Sequence, residues 1–430
     1  MATARGSATA AISRRPRVLA RGCLMLGVLA PACAAPGPAE PEPRYVVSAP
    51  ADPSDELFAA ENLVRFDLEL PPDSLERLEE KPDEYAPGTL SYRGQRLASI
   101  GVRLKGEASF REIGDKPAFR LKLDELVSGQ RLLGLKRLTL NNDVQDPSSL
   151  SQSLVYRSFR AAGLPAPRCN HALVYVNGEY YGLYSNVETE DKTFLERWFS
   201  SSDGNLYEEG GSDLVAGAAS AFELETNEAQ NDRSDLEALI GALERASESD
   251  FSETVAEELD LAHYLRFAAL EALAGGEDGY SYVLGPPNNF RLYRDPGTDR
   301  FVFLSWGLDR ALRPRFDPGL VHEWVPALGR YRSPWDTHSV VLSGCLASPD
   351  CRRAYTARLH EAADLFEELD LAGQARREIA LIDEAGRADL RKPSDDEYVG
   401  YARQLLLDYL AERPAALRAE LPPAGASSAE

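Results

Sequence analysis

Residues 268–312 read AALEALAGGEDGYSYVLGPPNNFRLYRDPGTDRFVFLSWGLDRAL, and the reading of this stretch decides the fold. Its apolar start is the end of a helix. A polar loop with Asp278 follows, and Pro286-Pro287 breaks the chain before Asn288 and Asn289. Two short strand-like runs, 290–294 and 300–305, flank the turn Asp295-Pro296-Gly297, and the second leads into Trp306-Gly307-Leu308-Asp309. A loop acid, a loop amide and an acid at a strand end, in that order, suit metal-assisted phosphoryl transfer. One acid accepts the nucleophile's proton, while the amide and the second acid hold Mg²⁺ on the phosphates.

Working back from this stretch, 250–273 predicts one long helix with its apolar stripe on Leu261, Tyr264, Leu265, Ala268 and Ala272, which makes His263 a core residue. Upstream, 64–70 and 97–104 read as strands and 73–80 as a helix. A further strand over 118–123 carries Arg120 and Lys122 on one face. A strand over 135–140 runs into Asn141-Asn142-Asp143. The helix expected over 148–162 contains no Glu and stops at Gly163, with Pro165 beyond. The clearest hairpin spans 171–185 with Asn177-Gly178 at its turn, and Glu188 follows it. Residues 200–230 read as a loop, 192–199 and 235–246 as helices, and 339–421 as mostly helical with solvated charged faces.

At 430 residues the chain can hold two lobes, each with a core, and an apolar content of 43% fits a folded protein. A net charge of −22 argues against a nucleic-acid backbone or an anionic membrane as the main partner. Arg14, Arg15, Arg17 and Arg21, then the apolar run 23–30, then an alanine-rich exit, describe an export signal. Cys33 beside it is a candidate acylation site for a lipid anchor. No other stretch is apolar enough to cross a bilayer. Export makes Cys345 and Cys351, which flank the turn-rich Leu-Ala-Ser-Pro-Asp, a candidate disulfide, with Cys169 left unpaired and buried. No Cys/His spacing resembles a zinc site. The expected organisation is an export signal (1–33), a tether (34–56), a β-rich lobe (57–190), a helical lobe (191–421) and a disordered tail (422–430).

Several stretches together resemble the CotH kinase family of atypical kinases. They are Lys105-Gly106 through KPAFRLK at 116–122, the Asn-Asn-Asp with its helix, VYVNGEYYGLY at 174–184 leading to Glu188, NNFRLY at 288–293, and Trp306-Gly-Leu-Asp309. The resemblance implies an α+β, protein-kinase-like, two-lobed fold. It implies transfer of the γ-phosphoryl of ATP to Ser or Thr of a secreted or surface protein, with Mg²⁺ or Mn²⁺. Carried over by position, Asp278 is the catalytic acid, and Asn289 (or Asn288) and Asp309 are the metal ligands. Lys122, on a strand ahead of the 148–162 helix, is the expected nucleotide lysine, with Lys105 and Lys116 as phosphate neighbours and Glu188 near the inter-lobe hinge. Gly307 stands where the family pattern, Trp-Asp-x-Asp, has its first aspartate. Two other readings stay open. One is a non-catalytic kinase-like protein serving in surface assembly or adhesion. The other is a hydrolase that pairs Asp278 with Asp309, whose separation the sequence does not give.

Overall fold

The computed structural model describes residues 52–276, 278–282, 286–314 and 333–423. The export signal, Cys33, most of the tether and most of the tail lie outside the described residues.

Strands β1 (Leu63–Glu69), β2 (Ala86–Tyr92), β3 (Gln95–Lys105), β4 (Ala118–Lys122), β5 (Arg137–Asn141), β6 (Cys169–Val176) and β7 (Glu179–Val187) close into a barrel in the order β1-β2-β3-β4-β5-β7-β6. Neighbours are antiparallel except where β1 pairs with β6, Leu63–Leu68 running parallel to His171–Val176. The two-residue period of a strand sorts the side chains. Val102, Leu104, Phe119 and Leu121 join the barrel core. Arg103, Lys105, Arg120 and Lys122, at the alternate positions, take the other face of the same two strands.

A second sheet holds β8 (Leu206–Glu208), β9 (Glu223–Leu224), β10 (Phe290–Asp295) and β11 (Arg300–Ser305) in the order β11-β10-β8-β9. The hairpin expected from 290–305 is therefore present, with Phe290 opposite Ser305. Two short helices, α1 (Asp55–Phe58) and α2 (Pro72–Glu80), accompany the barrel, and α3 (Ser151–Ala161) connects β5 to β6. Next come α4 (Lys192–Trp198), α5 (Ser234–Arg245), α6 (Phe251–Val255) and α7 (Leu261–Ala274). After the second sheet follow α8 (Val340–Ala347), α9 (Pro349–Glu368), α10 (Leu371–Ala388) and α11 (Asp396–Glu420).

The single helix expected over 250–273 is two helices. Asp260 breaks it: its carboxylate accepts the N–H of His263 as an N-cap, and its own N–H pairs with the carbonyl of Phe301 in β11. That backbone bond ties α7 to the second sheet, and Tyr264 and Phe267 of α7 pack on Phe303. His263 is buried with Nε2 2.8 Å from the Phe303 carbonyl oxygen, the core role expected of it. The disulfide Cys345–Cys351 joins α8 to α9, and Cys169 is free and buried, both as expected. A sheet-rich N-terminal part followed by a mostly helical part is the α+β class read from the sequence.

Candidate active site

The loop after α7 is fixed from below. Glu271, buried in the last turn but one, accepts the backbone N–H of Tyr280 at 2.9 Å and of Ser281 at 3.0 Å. Burial raises its carboxyl to about 7, against those hydrogen bonds. Tyr280 packs on Phe290 and Phe303, each with ring centroids 4.7 Å away, and its hydroxyl donates to Asp213. Asp278, two residues before Tyr280, is thereby held on the wall of a cleft of about 620 Å³.

Asn288 and Asn289 enter the same cleft just before β10. Asn289 donates Nδ2 to the carbonyl of Asp278 at 2.8 Å, and its N–H goes to Glu209 at 3.0 Å. Asn288 Nδ2 lies 3.4 Å from Asp278 Oδ1. Asp309, past the end of β11, also lines the cleft, and its carboxyl is pushed up to about 6 by burial, with the charges of Asp146 and Asp278 adding. Side chains 31 positions apart (309 − 278) thus share one cavity. Arg310 projects beside them, 3.7 Å from Asp278.

Gly307 occupies the left-handed region, φ +59°. A Cβ built there lies 2.5 Å from Cγ of Asn289 and closer still to its Oδ1. The Asn289 amide therefore fills the volume that a side chain at 307 needs. Position 307 suits glycine both in backbone conformation and in space.

Of the expected lysines, Lys105 is the one that faces this cluster. It ends β3, half-buried, lines the cleft, donates to Asn141 Oδ1 at 2.7 Å and lies 5.2 Å from the Trp306 ring centroid. Burial pushes it down to about 8, with the charge of Arg120 adding and Asp309 opposing. Lys122 is not among the cleft residues. The register places it opposite Gly101, at the far end of the strand pair from Lys105, and it pairs with Glu125 at 2.6 Å. From the same face Arg120, opposite Arg103, reaches the cleft in its place. Lys116 is buried against Asp389 at 2.7 Å and contributes its charge to that pair. Glu188 is likewise absent from the cleft lining. Buried at the exit of β7, it binds Arg168 at 2.8 Å on the barrel side and Arg197 of α4 on the other, so it sits where the barrel joins the rest of the chain. Burial would raise its carboxyl, but those two arginines hold it below the usual range.

The cleft is more charged than the sequence reading allowed. Glu208, Glu209, Glu223 and Glu225 line it with Arg103 and Arg120. Arg291, buried on β10, bonds Glu208 at 2.7 Å and lies 3.3 Å from Glu190. Burial raises Glu190 to about 8 despite Arg291. Burial and the charge of Glu208 raise Glu209 to about 7. Asn141 and Glu209 were missed as site residues. Their signals were the Asn-Asn-Asp at a strand end and the acids after β8, but only the pairing of distant strands brings them to Lys105 and Asn289.

The residues present fit a hard divalent cation bound together with phosphates. Among the described residues no group of three or more His, Cys, Asp or Glu forms a self-sufficient metal cage. Asp309 and Asn289 offer oxygen donors, and Mg²⁺ is usually held by one or two carboxylates with phosphate and water completing its shell.

A family model described as CotH kinase protein matches residues 102–415. The chain is 25% identical over 187 residues to the inner spore coat protein H of Bacillus subtilis, an alignment covering 41% of this chain and 50% of that protein. The inner spore coat protein H-like protein of the same organism is 37% identical over 57 residues, 13% of this chain and 19% of its own. The chain therefore spans at most half the length of either relative. Among solved structures, the Helicobacter pylori proinflammatory kinase CtkA aligns over 77% of this chain and 88% of its own, at 9% identity and a TM-score of 0.24. With its family model matched across most of its length, the chain belongs to the CotH kinase family.

Proposed function

We propose that the protein is an exported CotH-like kinase that transfers the γ-phosphoryl of ATP to a Ser or Thr of a secreted or surface protein, assisted by Mg²⁺ or Mn²⁺. The observation that carries this reading is the meeting of Asp278, Asn289, Asp309 and Lys105 in one cleft of about 620 Å³, room for a nucleotide. Asp278 would accept the proton of the acceptor hydroxyl. Lys105 and Arg310 would meet phosphate oxygens, and Asp309 with Asn289, flanked by Asn288, would hold the cation that neutralises charge on the phosphates. Export is supported by the basic and apolar character of 14–35 and by the Cys345–Cys351 disulfide, a bond typical of oxidising compartments. Among the described residues no helix is long and apolar enough to cross a membrane. A lipid on Cys33 would be the anchor if the chain is held at a surface.

The test is label transfer from γ-labelled ATP to casein with Mg²⁺ or Mn²⁺, together with nucleotide binding with and without the cation. Transfer lost in Asp278→Asn, and cation-dependent binding lost in Asp309→Ala, are the expected results. One observation favours a second reading, a non-catalytic kinase-like protein acting in surface assembly or adhesion: Gly307 removes a carboxylate from the family pattern, and Asn289 fills its place. Wild-type protein that binds a surface partner, transfers no label and is indifferent to Asp309→Ala would establish that reading instead.

A further inference from the structure

Ordinary protein kinases hold the nucleotide lysine with a glutamate from the helix that follows it. Helix α3 follows Lys105 and carries no glutamate. It offers Gln152, 2% exposed, in its first turn. Lys105 donates to Asn141 Oδ1 at 2.7 Å, and Asn141 Nδ2 donates to Gln152 Oε1 at 2.7 Å. Gln152 Nε2 then points to Asp143 Oδ1 at 3.5 Å. Every donor in this row faces the next acceptor, which fixes the orientation of both amides.

We propose that Asn141, braced by Gln152, is the positioning residue for Lys105, and that two neutral amides do the work of the missing ion pair. The inference rests on the kinase reading and deepens it. An amide oxygen orients an ammonium without cancelling its charge, whereas a carboxylate in contact would compete with an incoming polyphosphate for it. The nearest carboxyl along the row, Asp143, stands two amides away. Burial raises that carboxyl well above its usual range, so it too competes weakly. The lowered value of Lys105, about 8, fits an ammonium partly withdrawn from water.

The same turn of α3 reaches the other half of the site. Ser151, the residue before Gln152, donates to the carbonyl of Ala311 at 3.1 Å, just past Asp309. Neighbouring residues of one helix thus brace the lysine strand and the metal-binding segment together. Asn142 completes the arrangement by donating to the carbonyls of Ser109 and Lys116, which pins the turn after Gly106.

The test uses the purified chain. ATP with Mg²⁺ and, separately, adenosine are titrated by calorimetry into wild type, Asn141→Ala and Gln152→Ala. Both variants are expected to bind ATP about tenfold more weakly, the size of one lost hydrogen bond to a charged group, with adenosine affinity unchanged. Acetylation of Lys105 in nucleotide-free protein, read by mass spectrometry, is expected to be several-fold faster in Asn141→Ala because the amine is released. An unchanged ATP-to-adenosine ratio or unchanged labelling, in a chain that binds ATP, would overturn the amide brace alone. Wild type that binds no ATP would remove the kinase reading and this inference with it. Variants that lose ATP and adenosine equally would make Asn141 a structural residue only.

Discussion

Removing the charge of Asp389 tests how this molecule is held together and what Lys116 does. Lys116 and Asp389 form an ion pair at 2.7 Å with side chains 4% and 1% exposed. The carboxylate also accepts the N–H of Leu183 at 3.1 Å and of Arg391 at 3.0 Å. It packs against Gly182, where a Cβ would come within 2.6 Å of its Cγ. The pair fastens the connection between α10 and α11 to the barrel, and Arg391 adds a bond to Glu179 on β7. In Asp389→Asn the buried ammonium keeps near it only Asp143, whose carboxyl burial holds well above its usual range, so the cost of stranding the charge is about 3–5 kcal/mol. For a folded chain of this size, with unfolding entropy near 2.1 cal/mol/K per residue, that lowers Tm by about 3–6 °C. The double variant Lys116→Met/Asp389→Asn leaves no stranded charge, and its Tm is expected within about 2 °C of wild type. Thermal melts followed by circular dichroism give the three values. A single variant as stable as wild type, or a double variant no better than the single, would refute the argument. ATP titration of the double variant then separates the two roles: binding is expected to persist. Its loss in a folded double variant would return Lys116 to the phosphate-binding role expected from sequence.

Three further outcomes follow from the same geometry. Gly307→Ala forces a side chain into a left-handed backbone and displaces the Asn289 amide, a loss of about 2–3 kcal/mol read in a denaturant melt. Gly307→Asp, which restores the family's aspartate, is expected to bind Mg²⁺-nucleotide no better than wild type, and a clear gain would sink the packing argument. Lys105→Met is expected to weaken ATP binding roughly 10–100-fold, whereas Lys122→Met, which breaks only a half-exposed pair, costs at most about 1 kcal/mol of stability and no affinity. The reverse ranking in an ATP titration would restore the sequence-based choice. Finally, burial would raise the Glu378 carboxyl, but a hydrogen bond from His171, the charges of His171 and Arg157 and a bond from Ser153 hold it at about 2. A carboxylate depressed on folding stabilises fully above its unfolded value, near 4.5, and loses that contribution as pH falls from there toward 2. Glu378→Gln should therefore be less stable than wild type by on the order of 3 kcal/mol at pH 7, with the gap closing below pH 4. A gap that does not change with pH would contradict this.

What was legible in the sequence was local. The Asn177-Gly178 hairpin, the Asn-Phe-Arg-Leu-Tyr strand and its partner, and the reach between Cys345 and Cys351 depend on neighbours a few residues apart, and each stands as expected. Asp278, Asn289 and Asp309 were likewise picked from one short stretch of chain, and all three line the same cleft. The helix boundary at Asp260 was not legible, because the carbonyl that breaks it comes from β11. Nor was the choice among lysines. Lys105 and Lys122 alternate onto the same face, and only the register of β3 against β4, with β5 delivering Asn141 alongside, places the first at the cleft and the second away from it. Lys116 found its partner in the connection after α10, far along the chain. Periodicity assigns a side chain to a face, but the charge that meets it there is set by which strands and helices pack together, and that pairing exists only in the folded molecule.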